Sequence, residues 1–219
     1  MKIIAKIHND FKEKFGIPRQ SGLSGELTSR IVFEPEYRNP DALRGIDGYS
    51  HLWLIWQFHC NGTEWHPTVR PPRLGGNTRL GVFATRSPFR PNGLGLSVVK
   101  LVSVESGPVI RVSGADMVDG TPIFDIKPYV PYSDAIPDAA GGFTETPWEP
   151  LAVQLPEKLP QQATAEWCEA LRETLAQDPR PAYQQDPQRI YHLVLKPFEV
   201  HFRVEEKQAI VTAITPYVK

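Results

Sequence analysis

The sequence predicts a mainly β protein: a β-barrel-like N-terminal domain of short strands, followed by a small α+β C-terminal domain. Three observations carry this. Before Ile136 the apolar residues fall in short runs separated by turn signals, without helical periodicity between them. The 22 prolines among 219 residues are roughly double the usual ~5% share, and they are scattered between those runs. Proline breaks helices and central strands but suits edges and turns. Finally, one stretch alone, Pro160 to Gln177, has the apolar spacing of a long amphipathic helix.

Taken in order, Ile3 to Ile7 alternates as a strand, and Leu27 to Phe33 is the second candidate. His51 to Phe58 (HLWLIWQF) is nearly all apolar, as expected of a strand buried on both faces. Gly81 to Ala84 is a short candidate. Leu94 to Val104 and Val109 to Val112 pair around the turn 105–108, and Phe124 to Val130 closes the series. Many short strands with no alternating helices favour a closed or sandwiched sheet over a doubly wound one.

Ile136 to Pro150, rich in Gly, Pro, Ala and Thr, reads as a linker, so the domains are placed at 1–146 and 147–219. In the second domain Ala163, Trp167, Leu171 and Leu175 repeat at spacing four, and Asp178–Pro179 stops the helix. Tyr191 to Leu195, Phe198 to Val204 and Ala209 to Ile214 then read as strands. Val200, Phe202 and Val204 alternate with His201, Arg203 and Glu205, the mark of a half-solvated sheet.

The formal charge of −1 hides an asymmetry. From Trp65 to Val104 there is no acidic residue, yet the segment holds Arg70, Arg73, Arg79, Arg86, Arg90 and Lys100. The rest of the chain is left with 18 bases of the 24, against all 25 acids. Arginine's planar fork suits phosphate or carboxylate, and Trp65 and Phe89 among the arginines could stack on unpaired bases. An anionic partner such as nucleic acid is one reading; a basic loop neutralised by acids elsewhere in the fold is the other.

Several functions find no support. No apolar stretch approaches the ~18 residues of a membrane span, and MKIIAKIHNDF is too polar for a secretory signal, so the cytoplasm is the expected compartment. Cys60 and Cys168 lie far apart and form no C-x-x-C pair. His59, Cys60 and His66 cluster without metal-ligand spacing, so no metal is expected. There is no G-x-S-x-G, no G-x-G-x-x-G and no phosphate-binding G-x-x-x-x-G-K-[ST].

What remains is Gly81 to Gly95, GVFATRSPFRPNGLG. Prolines after Ser87 and Arg90 stiffen this loop, which ends in Pro91–Asn92–Gly93, and a stiff loop loses less entropy on gripping a ligand. The run resembles the signature of the TsaA/TrmO family of S-adenosylmethionine-dependent tRNA methyltransferases. Four further segments match in order: PRQSGL at Pro18 to Leu23, GYSHLWLIWQFH at Gly48 to His59, RPPRLGGN at Arg70 to Asn77, and DMVDGTPIFDIKPYVPYSDA at Asp116 to Ala135. The helix end DPRPAY at Asp178 to Tyr183 is similar to the family's C-terminal extension.

The resemblance implies a β-barrel methyltransferase domain, a homodimer, and methyl transfer to N6 of N6-threonylcarbamoyladenosine beside the anticodon of threonine tRNA. It implies cofactor contacts from Arg19, Gln20, Ser21, Gly22 and Leu23; from His59 and Cys60; from Arg86; from Leu96 and Val98; and from Ala115, Asp116, Met117 and Val118. Cys60 stands where a polar residue such as Gln is expected. Arg86, Arg90 and Lys127 are the candidates for the threonyl carboxylate. Arg70, Arg73, Arg90 and Asn92 are candidates for anticodon-loop contacts, and Arg180 with Tyr183 for tRNA recognition by the second domain. A chain ended near Glu145 is then expected to keep its cofactor affinity. Methyl transfer from an activated sulfonium needs positioning rather than a nucleophile, so the missing nucleophile and metal motifs agree with it. The rival reading is a non-enzymatic RNA-binding module that uses the Arg-rich segment.

Overall fold

Strands form where apolar residues alternate between turns, and in the computed structural model they organise two bodies. Residues 1–62, 64–145, 149–181, 184 and 186–218 are described. In chain order the strands of the first body are β1 (Ala5–His8), β2 (Thr28–Phe33), β3 (His51–Gln57), β4 (Thr68–Val69), β5 (Leu80–Gly81), β6 (Leu94–Glu105), β7 (Val109–Ser113) and β8 (Pro122–Pro128), followed by the one-turn helix α1 (Pro131–Asp134). Then come β9 (Ala152–Gln154), α2 (Ala165–Ala176), β10 (Tyr191–Leu195), β11 (Phe198–Glu205) and β12 (Gln208–Pro216).

The first body is a closed six-stranded barrel in the order β1-β2-β7-β6-β3-β8, every pair antiparallel. Closure leaves no free sheet edge. Its interior is filled by Ile7, Ile31, Leu52, Leu54, Val99, Ile110, Met117 and Ile123. β3 is buried on one face rather than both: Leu52, Leu54 and Trp56 point inward, while His51, Trp53 and Ile55 are half-buried. The outer face reads as apolar because Trp53 carries a covered ring, its Nε1 donating to Asp134 at 2.8 Å and its ring packing on Tyr129.

The candidate strand 81–84 lies outside the barrel. Leu80–Gly81 pairs only with β4, and Val82 to Ala84 turns into a 3-10 helix. The remaining N-terminal strands differ from the predicted runs by a few residues at their ends.

In the second body α2 packs on a sheet of order β10-β11-β12-β9. The helix begins at Ala165, not Pro160, because Thr164 caps it, its side chain accepting from the Trp167 amide at 3.2 Å. The linker reading of 136–150 stops just short of the three-residue β9, which joins β12 in parallel. The proposed boundary between 146 and 147 lies outside the described residues.

The core of the second body is not made from residues beyond 147 alone. Phe11 is buried in it and bridges Leu195, Phe15 stacks on Tyr191 and Phe202, and Ile17 and Leu27 pack against it. The segment between β1 and β2 therefore leaves the barrel, docks on the second body and returns. A fragment ended near Glu145 exposes these rings, a change in packing that bears on the expectation that it keeps its cofactor affinity.

Candidate active site

Antiparallel pairing brings the end of β3, the start of β6, the β7–β8 loop and the β1–β2 segment to one end of the barrel. There they enclose a cleft of about 530 Å³, lined also by Thr85, Arg86, Pro88 and Arg90 of the proline-stiffened loop. That volume is within the ~300–1,000 Å³ of small-molecule sites.

Backbone closeness sets the shape of the cleft at two points. A Cβ on Gly95 would come within 2.2 Å of the Trp56 indole, so only glycine lets the ring lie against β6. The Gly22 amide donates to the Gly114 carbonyl at 2.8 Å. Both glycines have positive φ, and a Cβ on Gly114 would sit 3.1 Å from Gly22 Cα. This bond ties the 19–23 loop to the 115–118 loop.

Asp116 is the chemical focus. Ser97, 1% exposed, donates from Oγ to Asp116 Oδ1 at 2.6 Å, and Trp56 Nε1 donates to the same Ser97 Oγ at 2.9 Å. Loss of water raises the Asp116 pKa above the ordinary carboxylate value. The Ser97 bond, backbone amides that include Ser21, and the Arg86 guanidinium pull it back. Arg86 is exposed at the mouth and donates from NH1 to Gln20 Oε1 at 2.5 Å.

Of the predicted cofactor residues, Arg19, Gln20, His59, Cys60, Arg86, Leu96, Asp116, Met117 and Val118 line the cleft. Ser21, Gly22, Leu23, Val98 and Ala115 do not line it. Ser21 reaches Asp116 by its backbone, and Ala115 is buried in the barrel core. Cys60 Sγ lies 3.2 Å from His59 Nε2, so the residue found in place of a polar one meets its neighbour. His66 is elsewhere, its ring against Phe89.

The other arginines divide. Arg90 lines the cleft but also staples its own loop, donating from NH1 to the Thr85 and Val82 carbonyls at 2.7 and 3.1 Å. Arg70 and Asn92 are exposed outside the cleft, and Arg73 sits in a one-turn helix. Lys127 pairs with Asp125 at 3.0 Å on β8 and does not itself line the cleft, although its cross-strand partner Trp53 does. Arg180 turns inward: its guanidinium grips Asp178 at 2.7 and 2.8 Å, and its side chain is 13% exposed. Tyr183 lies outside the described residues.

Sequence reasoning missed Ser97 as an individual residue. A readable signal existed, because Ser97 is the polar residue at an inward position of β6, between Gly95 and Val99. Gln177, which contacts the 19–23 loop, carries no such signal.

A carboxylate on aromatic and apolar walls, with a guanidinium at the mouth, suits a ligand carrying a cation at its centre and an anion at its end. Residues 6–135 match the family model described as the tRNA-methyltransferase O N-terminal domain, and residues 147–217 match the TrmO C-terminal domain. An Escherichia coli protein named tRNA (adenine(37)-N6)-methyltransferase is 40% identical, over 97% of this chain and 96% of its own. A protein of that name from Eikenella corrodens is 49% identical, over 76% of this chain and 97% of its own. A Pseudomonas aeruginosa protein with the provisional name S-adenosylmethionine-dependent methyltransferase RcsF is 44% identical, over 91% of this chain and 90% of its own. The crystal structure of TrmO from Pseudomonas aeruginosa superposes with a TM-score of 0.82 at 35% identity, covering 98% of this chain and 96% of that one.

Proposed function

The chain belongs to the tRNA-methyltransferase O family, and from that premise we propose that it transfers a methyl group from S-adenosylmethionine to N6 of N6-threonylcarbamoyladenosine, next to the anticodon of threonine tRNA. The observation that carries the reading is the cleft at the barrel end, where the separate motif segments converge on Asp116. A non-enzymatic RNA grip needs exposed arginines but no such enclosed site.

The residues present fit the cofactor. Asp116 offers a negative charge in a partly dry cleft, where attraction to a sulfonium is strongest, and Trp56, Leu96 and Met117 offer apolar walls. Arg86 stands where a terminal carboxylate could be bound. Bound there, the cofactor supplies an activated methyl group. The chain's part is to hold the acceptor in line and exclude water. The acceptor N–H is next to a carbamoyl carbonyl, which makes it more acidic than that of plain adenine, so a modest base or a donor to that carbonyl suffices. No step calls on a metal.

Further parts of the reading are supported by the resemblance: the protein acts as a homodimer in the cytoplasm, and exposed arginines of the 65–104 segment hold anticodon-loop phosphates. Among the described residues no helix is long and apolar enough to cross a membrane.

The test is methyl incorporation from labelled S-adenosylmethionine into tRNA with and without the threonylcarbamoyl group. Incorporation only into modified threonine tRNA is expected; binding of tRNA without any incorporation favours the RNA-binding reading.

A further inference from the structure

The 19–23 loop forms part of the barrel's cleft, but it is held from the second body. Gln177 follows the last turn of α2. Its Oε1 accepts from the backbone amide of Arg19, and its Nε2 donates to the carbonyl of Leu23, both at 3.3 Å. One side-chain amide thus bonds the first and the last residue of the loop. The same Nε2 donates to the Glu173 carbonyl at 3.1 Å, which fixes the amide on its helix.

Neighbouring contacts repeat the pattern. The Arg19 guanidinium donates from NH2 to the carbonyls of Asp178 and Arg180 at 2.5 and 3.1 Å. Glu173 Oε2 accepts from Ser24 Oγ at 3.0 Å, just past the loop. The turn that receives Arg19 is itself locked, with Asp178 at φ 47 and its carboxylate closed on Arg180. A left-handed aspartate is uncommon and persists where surroundings determine it. These contacts span 149 to 161 positions of sequence yet converge on Arg19, Leu23 and Ser24.

We propose that Gln177 is a positioning residue for the cleft: it fixes the backbone of residues 19–23, and through it the second body sets the affinity of the barrel for S-adenosylmethionine. The inference rests on the reading of the cleft given above. Its physical basis is preorganisation. A loop already ordered loses less conformational entropy when ligand binds, and the Ser21 amide can meet Asp116 only if the loop keeps its path. Both bonds from Gln177 to the loop are long for N–H···O, so no single one dominates and the pair acts together. Coupling of this kind is reciprocal: ligand in the cleft must also strengthen the contact to α2.

The experiment titrates the full-length protein with S-adenosylhomocysteine by calorimetry, comparing wild type, Gln177→Ala, Gln177→Glu and Arg172→Ala. Arg172 is exposed on α2 and pairs within that helix, so it serves as the control. We expect Gln177→Ala to weaken binding 3- to 10-fold. Gln177→Glu, which keeps the acceptor for Arg19 but loses the donor to Leu23, should fall between, and Arg172→Ala should match wild type. Hydrogen exchange gives a second reading: amides of residues 19–23 lose protection in Gln177→Ala, and ligand protects the last turn of α2 in wild type. Should Gln177→Ala not fold, Glu173→Ala carries the same expectation through Ser24, with Glu173→Gln restoring it. Unchanged affinity in folded Gln177→Ala, with only a lower Tm, overturns the inference and leaves the cleft reading intact. Failure of wild type to bind at all overturns both.

Discussion

Ser97 Oγ stands between Trp56 and Asp116, donating to the carboxylate at 2.6 Å while accepting from the indole at 2.9 Å. One buried hydroxyl therefore holds both the aromatic wall and the charge of the cleft. In Ser97→Ala the indole N–H loses its acceptor inside the barrel, a cost of about 1–3 kcal/mol. The carboxylate loses a bond that favours its ionised form, so its pKa rises further above the ordinary value. The acid limb of kcat/KM against pH is expected to move to higher pH. An unmoved limb removes Asp116 from the group that must be ionised.

Asp116→Asn separates stability from function. The folded-state pKa of Asp116 is raised mainly by loss of water, so the folded chain binds the proton more tightly than the unfolded chain. Stability linked to this group is present in full below the unfolded pKa and is lost as pH rises through the folded one. At neutral pH the charge is therefore a destabilising feature. Asp116→Asn can still accept from Ser97, and it should raise Tm at pH 7, with the gain shrinking as pH falls through the raised folded pKa and gone below the ordinary carboxylate range. S-adenosylmethionine affinity should fall at least about tenfold with loss of the charge that faces the sulfonium, the usual trade between stability and site function. A lower Tm at pH 7 contradicts this assignment.

Much of this was legible from pattern. Alternating and apolar runs located the barrel strands and β10 to β12, and the spacing of Trp167, Leu171 and Leu175 located α2. Three features escaped for physical reasons. β9 is three residues in a proline-rich stretch, too short for a period to show. The outward face of β3 is half-covered by apolar side chains, so alternation was masked. The docking of Phe11 and Phe15 on the second body is a contact across most of the sequence, which no local pattern encodes. In the cleft, motif residues were found by resemblance, whereas Gln177 acts through backbone bonds that leave no local trace.

Arg86 and Arg90 should fail differently when truncated. Arg86 is exposed at the cleft mouth and bonds Gln20; on the proposed reading, Arg86→Ala removes a charge that faces the ligand's anionic end. A charge-assisted bond is worth about 1.5–3 kcal/mol. Exposure puts Arg86 at the low end, near tenfold weaker binding of S-adenosylhomocysteine. Arg90 instead closes its loop on Thr85 and Val82. Arg90→Ala should leave that affinity within about threefold while kcat/KM for tRNA drops by an order of magnitude, as expected when a positioning loop loosens. Calorimetry beside steady-state kinetics decides; equal losses of cofactor affinity refute the division.

Removing everything after Glu145 is not a neutral cut. It uncovers Phe11, Phe15 and Ile17 and deletes Gln177. The fragment should keep a β-type circular dichroism spectrum from the closed barrel, yet melt at lower temperature and bind S-adenosylhomocysteine at least about tenfold more weakly. Exposed aromatic surface should also make it prone to associate. Full affinity in a monomeric, folded fragment shows that the 19–23 loop needs no support from the second body.

Arg70 offers the cleanest view of the RNA side, because it is exposed, follows β4 and lies outside the cleft. A guanidinium that holds an anticodon-loop phosphate releases counterions on binding, and each such contact contributes roughly 0.7–0.9 to the slope of log affinity against log salt. Arg70→Ala should weaken tRNA binding by about 3- to 10-fold at physiological salt and flatten that slope by close to one contact. Threonine tRNA and a non-substrate tRNA should be affected alike, since phosphates carry no sequence. S-adenosylhomocysteine affinity should not change, as the residue does not reach the cleft. Filter binding across a salt series measures both quantities. If the slope stays at the wild-type value while affinity falls, Arg70 acts on the fold of its loop and not on the phosphate backbone.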